Sequence, residues 1–106
     1  MTEDSKKQRW LVRVEGSGVW LGAVLAGHGE IPGTFRLEGA RRAHYWEGAI
    51  DCSELARTGP ATSSRITAAT TVSIRLERIV EAQPMSREAL ERLDRIAVAV
   101  AAKGPK

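Results

Sequence analysis

The chain of 106 residues predicts an α+β fold with a mostly antiparallel sheet. Three observations carry that reading. Short runs in the first half alternate apolar and polar side chains. Glycine- and proline-rich punctuation separates those runs. One amphipathic helical stripe stands near the C-terminal end. The expected architecture is a sheet of about five strands, with a short helix after the fourth strand and a C-terminal amphipathic helix.

Residues 1–8 are polar and charged and read as a disordered lead, which leaves 9–103 as a single domain. Arg9 to Glu15 alternates, with Trp10, Val12 and Val14 set against Leu11, Arg13 and Glu15, which is strand periodicity. Gly16-Ser17-Gly18 permits positive φ and predicts a tight turn. Val19 to Ala26 is apolar almost throughout and predicts a second strand covered on both faces. Gly27 to Gly33 is a loop by its glycines and proline. Thr34 to Glu38 alternates again, Gly39 is expected to break it, and Ala40 to Trp46 forms the fourth extended segment.

Asp51 caps a short helix, with Glu54 in the capping-box position, and Gly59-Pro60 closes it. Ala61 to Thr71 is a small, polar stretch. Val72 to Ala82 predicts one long strand, with a phase slip at Arg78-Ile79-Val80 that suits a bulge and Pro84 as its end. Ser86 is a good N-cap for the final helix, expected to reach about Ala102. Leu90, Leu93, Ile96, Ala97 and Val100 share one stripe. Ile96 to Ala102 is apolar nearly all round, and so much apolar helix surface predicts a homo-oligomer, a dimer or higher, joined through this helix.

Composition narrows the function classes. Sixteen Lys and Arg against thirteen Asp and Glu give a net charge of +3, spread along the chain. Nucleic-acid binders concentrate their charge in a stripe, so nucleic acid is not the expected partner. One cysteine excludes an internal disulfide. With two histidines in no ligand spacing, no metal and no cofactor are expected. No apolar segment approaches the length of a membrane span, so the expectation is a soluble, intracellular protein.

The candidate site gathers around Gly39 to Ile50. This run holds Arg41, Arg42, His44, the single tyrosine Tyr45, and Trp46. Aromatic faces suit a stacked ring, and arginine forks suit phosphate. On a regular strand Arg41 and Arg42 point to opposite faces, so one pairs with a carboxylate and the other is free for phosphate. Trp46 reads as core, while Tyr45 with His44 is the ring-stacking pair. Trp20 fits core or interface and is kept among the ligand contacts. Arg65 stands alone in a polar loop, and Thr67 could receive a ribose hydroxyl. Cys52 lies near a helix N-terminus, which favours a thiolate, yet no base is settled beside it. His44 with Glu47 or Asp51 makes an acid/base pair of a kind common by chance. No catalytic residue is therefore assigned, and the protein is not read as an enzyme.

Several runs resemble a small phage-encoded family of unknown function. They are Gly18-Val19-Trp20-Leu21-Gly22, the central Ala40-Arg41-Arg42 with Tyr45-Trp46 and Gly48-Ala49, then Leu55-Ala56 with Gly59, Ser64-Arg65-Ile66-Thr67, and Ile79-Val80-Glu81-Ala82 with Pro84. That architecture is similar to the Thoeris anti-defence sponges of cyclic ADP-ribose. The resemblance implies an oligomer that binds a nucleotide-derived immune signal, at subunit interfaces, without cleaving it. It would act in the cytoplasm of an infected bacterium. The expected ligand is a cyclic ADP-ribose isomer or a cyclic oligonucleotide, bound by Arg41, Arg42, His44, Tyr45, Trp20, Arg65 and Thr67. The alternative is an interaction protein that blocks a host protein or nucleic-acid complex directly.

Overall fold

The computed structural model describes residues 7–45, 51–61 and 64–98, with His44 and Tyr45 described by their backbone alone. It is α+β, with six antiparallel strands and two helices. In chain order these are β1 (Trp10–Val14), β2 (Gly18–His28), β3 (Thr34–Tyr45), α1 (Cys52–Thr58), β4 (Arg65–Ile66), β5 (Thr70–Arg75), β6 (Ile79–Pro84) and α2 (Arg87–Asp94). The sheet order is β4-β3-β2-β1-β6, and β5 pairs with the first half of β3. No helix among the described residues is long and apolar enough to cross a membrane.

Strands 1 and 2 form the expected hairpin, with glycines of positive φ at 16 and 18. The first difference from the sequence reading comes at Gly39. The strand does not break there but continues through it, so β3 runs from Thr34 to Tyr45 and the short helix follows the third strand. Gly39 instead bends the strand at φ 66°, and Gly22 bends neighbouring β2 at φ 70°. Each bend shifts the face on which side chains land. In β2, Trp20 and Ala23 enter the same core although three positions separate them, and Leu37 and Ala40 do the same in β3. One extra residue in a strand has this effect, together with added twist. Two bulged glycines in adjacent strands therefore fold the sheet over on itself.

The curl gives the sheet two cores. On the helix side Leu11, Val19, Leu21, Ala43 and Ile66 pack against Leu55, Ala56, Ala89, Leu93 and Ile96. On the other side Val12, Val14, Trp20, Leu37 and Ile74 form a second cluster, edged by Trp10, Phe35, Val72 and Ile79. Val19 to Ala23 are all buried, as a strand covered on both faces requires, but Val24 and Ala26 are half-buried and Leu25 is exposed, so the second half of the expected run is not covered.

The long strand expected over 72–82 is two strands. A 3-10 turn at Leu76–Arg78 divides them, and β5 pairs with β3 while β6 pairs with β1. The phase slip at Arg78-Ile79-Val80 marks this change of partner and also the expected irregularity, since Arg13 pairs with Glu81 and Val14 with Ile79, leaving Val80 as an extra residue in β6.

Both helices start where their caps place them. The Asp51 carboxylate accepts from the Glu54 N–H at 2.9 Å, and the Ser86 hydroxyl accepts from the Ala89 N–H at 3.0 Å. Helix α2, however, ends at Asp94 and does not reach Ala102. The chain turns through i to i+3 bonds, Arg95 N–H to Arg92 O and Ile96 N–H to Leu93 O. Ile96 is buried, and Val98 makes a parallel bridge to Ile66. Residues 99–102 lie outside the described residues. The stripe of α2 faces inward through Ala89 and Leu93, so the apolar helix surface that motivated an oligomer is not present over 95–98.

Candidate functional site

The two bulged glycines leave a gap in side-chain cover where β2 and β3 run together. A Cβ on Gly22 would lie 3.0 Å from Leu93 Cδ2, and one on Gly39 would lie 3.6 Å from Arg9 Nη1. The guanidinium of Arg9, just ahead of β1, crosses this floor and donates through Nη1 to the Gly22 carbonyl at 3.3 Å. The Gly22 N–H turns the other way, to the Met85 sulfur at 3.2 Å.

Arg41 enters from β3 on the helix side. Its Nε donates to the Thr67 carbonyl at 2.7 Å, and Nη1 donates to Leu93 O at 2.9 Å. Nη2 donates to Ile96 O at 3.1 Å and, more weakly, to Ile66 O at 3.4 Å. The carbonyls at the end of a helix lack intrahelical partners and carry partial negative charge. One buried-edge cation therefore satisfies the end of α2 and pins the turn that follows it. Burial lowers the pKa of Arg41, and the charge of Asp94 opposes that shift.

These groups enclose a cleft of about 280 Å³. Arg9, Arg41 and Asp94 are its charged members, and Leu90 and Leu93 form an apolar wall. Most of the Arg41 fork is already committed to carbonyls. Among the described residues the uncommitted donors in the cleft belong mainly to Arg9, whose guanidinium bonds the Gly22 carbonyl there.

The structure distributes the sequence-derived candidates over both faces. Arg41 and Arg42 do point apart, as expected. Among the described residues neither makes an ion pair: Arg41 binds carbonyls and only feels the charge of Asp94 nearby. Arg42 is exposed and lays its guanidinium carbon 5.9 Å from the centre of the Trp20 ring, a cation–π contact. Trp20 is 8% exposed within the second core, and its buried Nε1 meets no hydrogen-bond partner among the described residues. The Thr67 N–H donates to Arg42 O at 3.0 Å, while its hydroxyl accepts from the Arg42 N–H at 2.9 Å. Thr67 thus extends the ladder beside β3 by one residue.

Arg65 is exposed and lies in β4 opposite Tyr45, not in a loop. His44 and Tyr45 lie in β3, and their side chains, with Trp46 and Glu47, are outside the described residues. Of the named candidates whose side chains are described, only Arg41 lines the cleft. Arg9 and Asp94 were missed. Their signal was a glycine inside each of two strands, which marks a bulge or a close approach of another group.

Cys52 departs from expectation in a second way. Burial, then the charge of Glu81, raises its pKa, against the pull of Arg13. The side chain is therefore held as a thiol, the poorer nucleophile. Among the described residues no group of three or more His, Cys, Asp or Glu could hold a metal ion.

A family model described as a domain of unknown function (DUF6948) matches residues 7–93. No curated protein and no solved structure matches the chain.

Proposed function

The chain belongs to the DUF6948 family, and we propose that it is a non-catalytic binding protein that captures a small nucleotide-derived anion and holds it unchanged. One observation carries the proposal. Arg9 and Arg41 converge on a single cleft of about 280 Å³ over two strand glycines, beside an apolar wall from α2. Guanidinium donors against a phosphate form charge-assisted hydrogen bonds, and an apolar wall suits the face of a base.

The biological role that follows is sequestration of an immune signal in an infected bacterial cell, such as a cyclic ADP-ribose isomer or a cyclic oligonucleotide. Ligand sites for drug-sized molecules run from about 300 to 1,000 Å³. A cleft of this size accepts a mononucleotide-sized piece of such a signal. A second protomer would cover the remainder, so a homo-oligomer stays part of the proposal on the strength of the cleft.

The test is isothermal calorimetry against inorganic pyrophosphate, adenosine monophosphate, cyclic ADP-ribose isomers and cyclic dinucleotides. The bound ligand is then recovered and weighed by mass spectrometry. Binding with intact recovery is the expected result. Arg9→Ala should weaken binding by tenfold or more, from loss of about 1.5–3 kcal/mol of charge-assisted bonding. Absence of binding across the panel, or recovery of a cleaved product, overturns the reading.

A second reading, an interaction protein that blocks a host complex, draws on a different feature. Where the curled sheet stays open, Val12, Leu25, Phe35, Leu76, Ile79 and Ala82 line a slot of about 180 Å³. Exposed apolar patches mark interaction sites in many proteins.

A further inference from the structure

Asp94 breaks a local rule. It is the last residue of α2, and a carboxylate at that end meets the negative pole of the helix dipole. It lines the cleft with Arg9 and Arg41 and is exposed to solvent. Among the described residues its carboxylate makes no hydrogen bond or ion pair. Its neighbour Arg41 is turned to the carbonyls of Thr67, Leu93 and Ile96 instead. An acid in a cleft for anions also repels the very group that the arginines attract. The charge of Asp94 is felt by Arg41, but no hydrogen bond or ion pair among the described residues holds its carboxylate, and violations of local preference are expected at functional sites.

Resting on the reading of the cleft as a nucleotide site, we propose that Asp94 reads the base: it accepts a hydrogen bond from the exocyclic amine of an adenine-type nucleotide whose phosphate lies against Arg9. The cleft then offers three kinds of contact: cationic donors at Arg9, the apolar wall of Leu90 and Leu93 for a ring face, and an acceptor at Asp94. A carboxylate accepts from an amine and repels a carbonyl oxygen at the same place. The site therefore distinguishes a 6-amino purine from a 6-oxo purine. A simple anion site would have no such preference.

The experiment compares adenosine monophosphate, inosine monophosphate and inorganic phosphate on the wild-type protein and on Asp94→Ala, by calorimetry. Inosine monophosphate keeps the phosphate, the ribose and the ring but replaces the amine with a carbonyl. The wild type should bind adenosine monophosphate roughly tenfold or more tightly than inosine monophosphate, the range expected for a hydrogen bond to a charged group. Asp94→Ala should erase that preference and, by removing a like charge, strengthen binding of inorganic phosphate. Residue 94 is exposed, and an unchanged melting temperature shows that the variant is folded. Opposite movement of the two ligands is a result that a purely structural role would not produce. Equal binding of the two nucleotides by the wild type, still weakened by Arg9→Ala, overturns the role of Asp94 and leaves the anion site standing. No binding of any of the three overturns both.

Discussion

At the scale of single residues, the charged side chains divide by what they satisfy. Arg41 is a tether whose donors hold the end of α2 and the segment at 66–67 to β3. Lysine would be a poor replacement, because its compact ammonium lacks the planar fork that reaches several carbonyls at once. Glu81 is the clearest titrating contributor to stability. Hydrogen bonds from Arg13 and Gln83 hold its carboxyl below the ordinary 4.5, with Arg13 Nε at 2.7 Å. A lowered folded-state pKa stabilises the fold above the unfolded value, and that contribution is lost as pH falls through the folded value. Glu81→Gln should therefore flatten part of the decline in melting temperature measured below pH 4.5. At neutral pH the change should be small, since exposed pairs contribute under about 1 kcal/mol. An unaltered acid limb would show that other carboxylates dominate it.

At the scale of elements, backbone geometry at glycine decides where strands bend and helices meet. Gly59 ends α1 at φ 82°. A Cβ there would stand 2.9 Å from the Ala89 carbonyl oxygen and 2.9 Å from Arg92 Cβ. Both contacts belong to α2, so this glycine is where the two helices pack. Gly59→Ala combines a strained φ with a clash against backbone, and it should cost about 2–3 kcal/mol in urea denaturation. A loss under about 0.5 kcal/mol would mean that the helices separate without penalty. The same element-scale view explains the early end of α2. Once Arg41 draws in the Leu93 and Ile96 carbonyls, Ile96 can enter the helix-side core, and the chain turns toward β4.

At the scale of the whole molecule, one sheet separates two cores, and only the helix-side core is closed. The other ends in the apolar slot beside Leu76, which is 55% exposed. Leu76→Glu should leave stability within about 0.5 kcal/mol, as exposed positions usually do. If the slot receives a host protein, the same change should abolish capture of that protein in an affinity pulldown while calorimetric binding of adenosine monophosphate is unchanged. Retention of capture would remove the slot from the interaction reading. Cleft and slot lie on opposite sides of the sheet, so variants at one are expected to be independent of the other.

Local chemistry made much of the fold legible in advance. Alternation located β1 and the first half of β3, because a half-buried strand writes its two faces into every second residue, and a continuous apolar run located β2. Asp51 and Ser86 located both helix starts, because a cap needs only its own side chain and the N–H three residues on. The apolar run at Ile96 to Ala102 misled for the complementary reason. Its period fits a helix, but the bonds that end α2 come from Arg41, far away in sequence. Gly39 was visible as an interruption and Gly22 was not; that the two lie one register position apart on paired strands, Gly22 opposite Ala40 and Gly39 opposite Ala23, depends on the pairing of β2 with β3. The candidate cleft was hidden for the same reason. Arg9, Arg41 and Asp94 come from three different elements, and no local period relates them. The sequence by itself determined the elements and their caps, which depend on neighbours a few residues apart. The tertiary structure alone decided which arginine became a tether and which faces a cleft, because that choice depends on carbonyls and charges brought close only by the folded sheet.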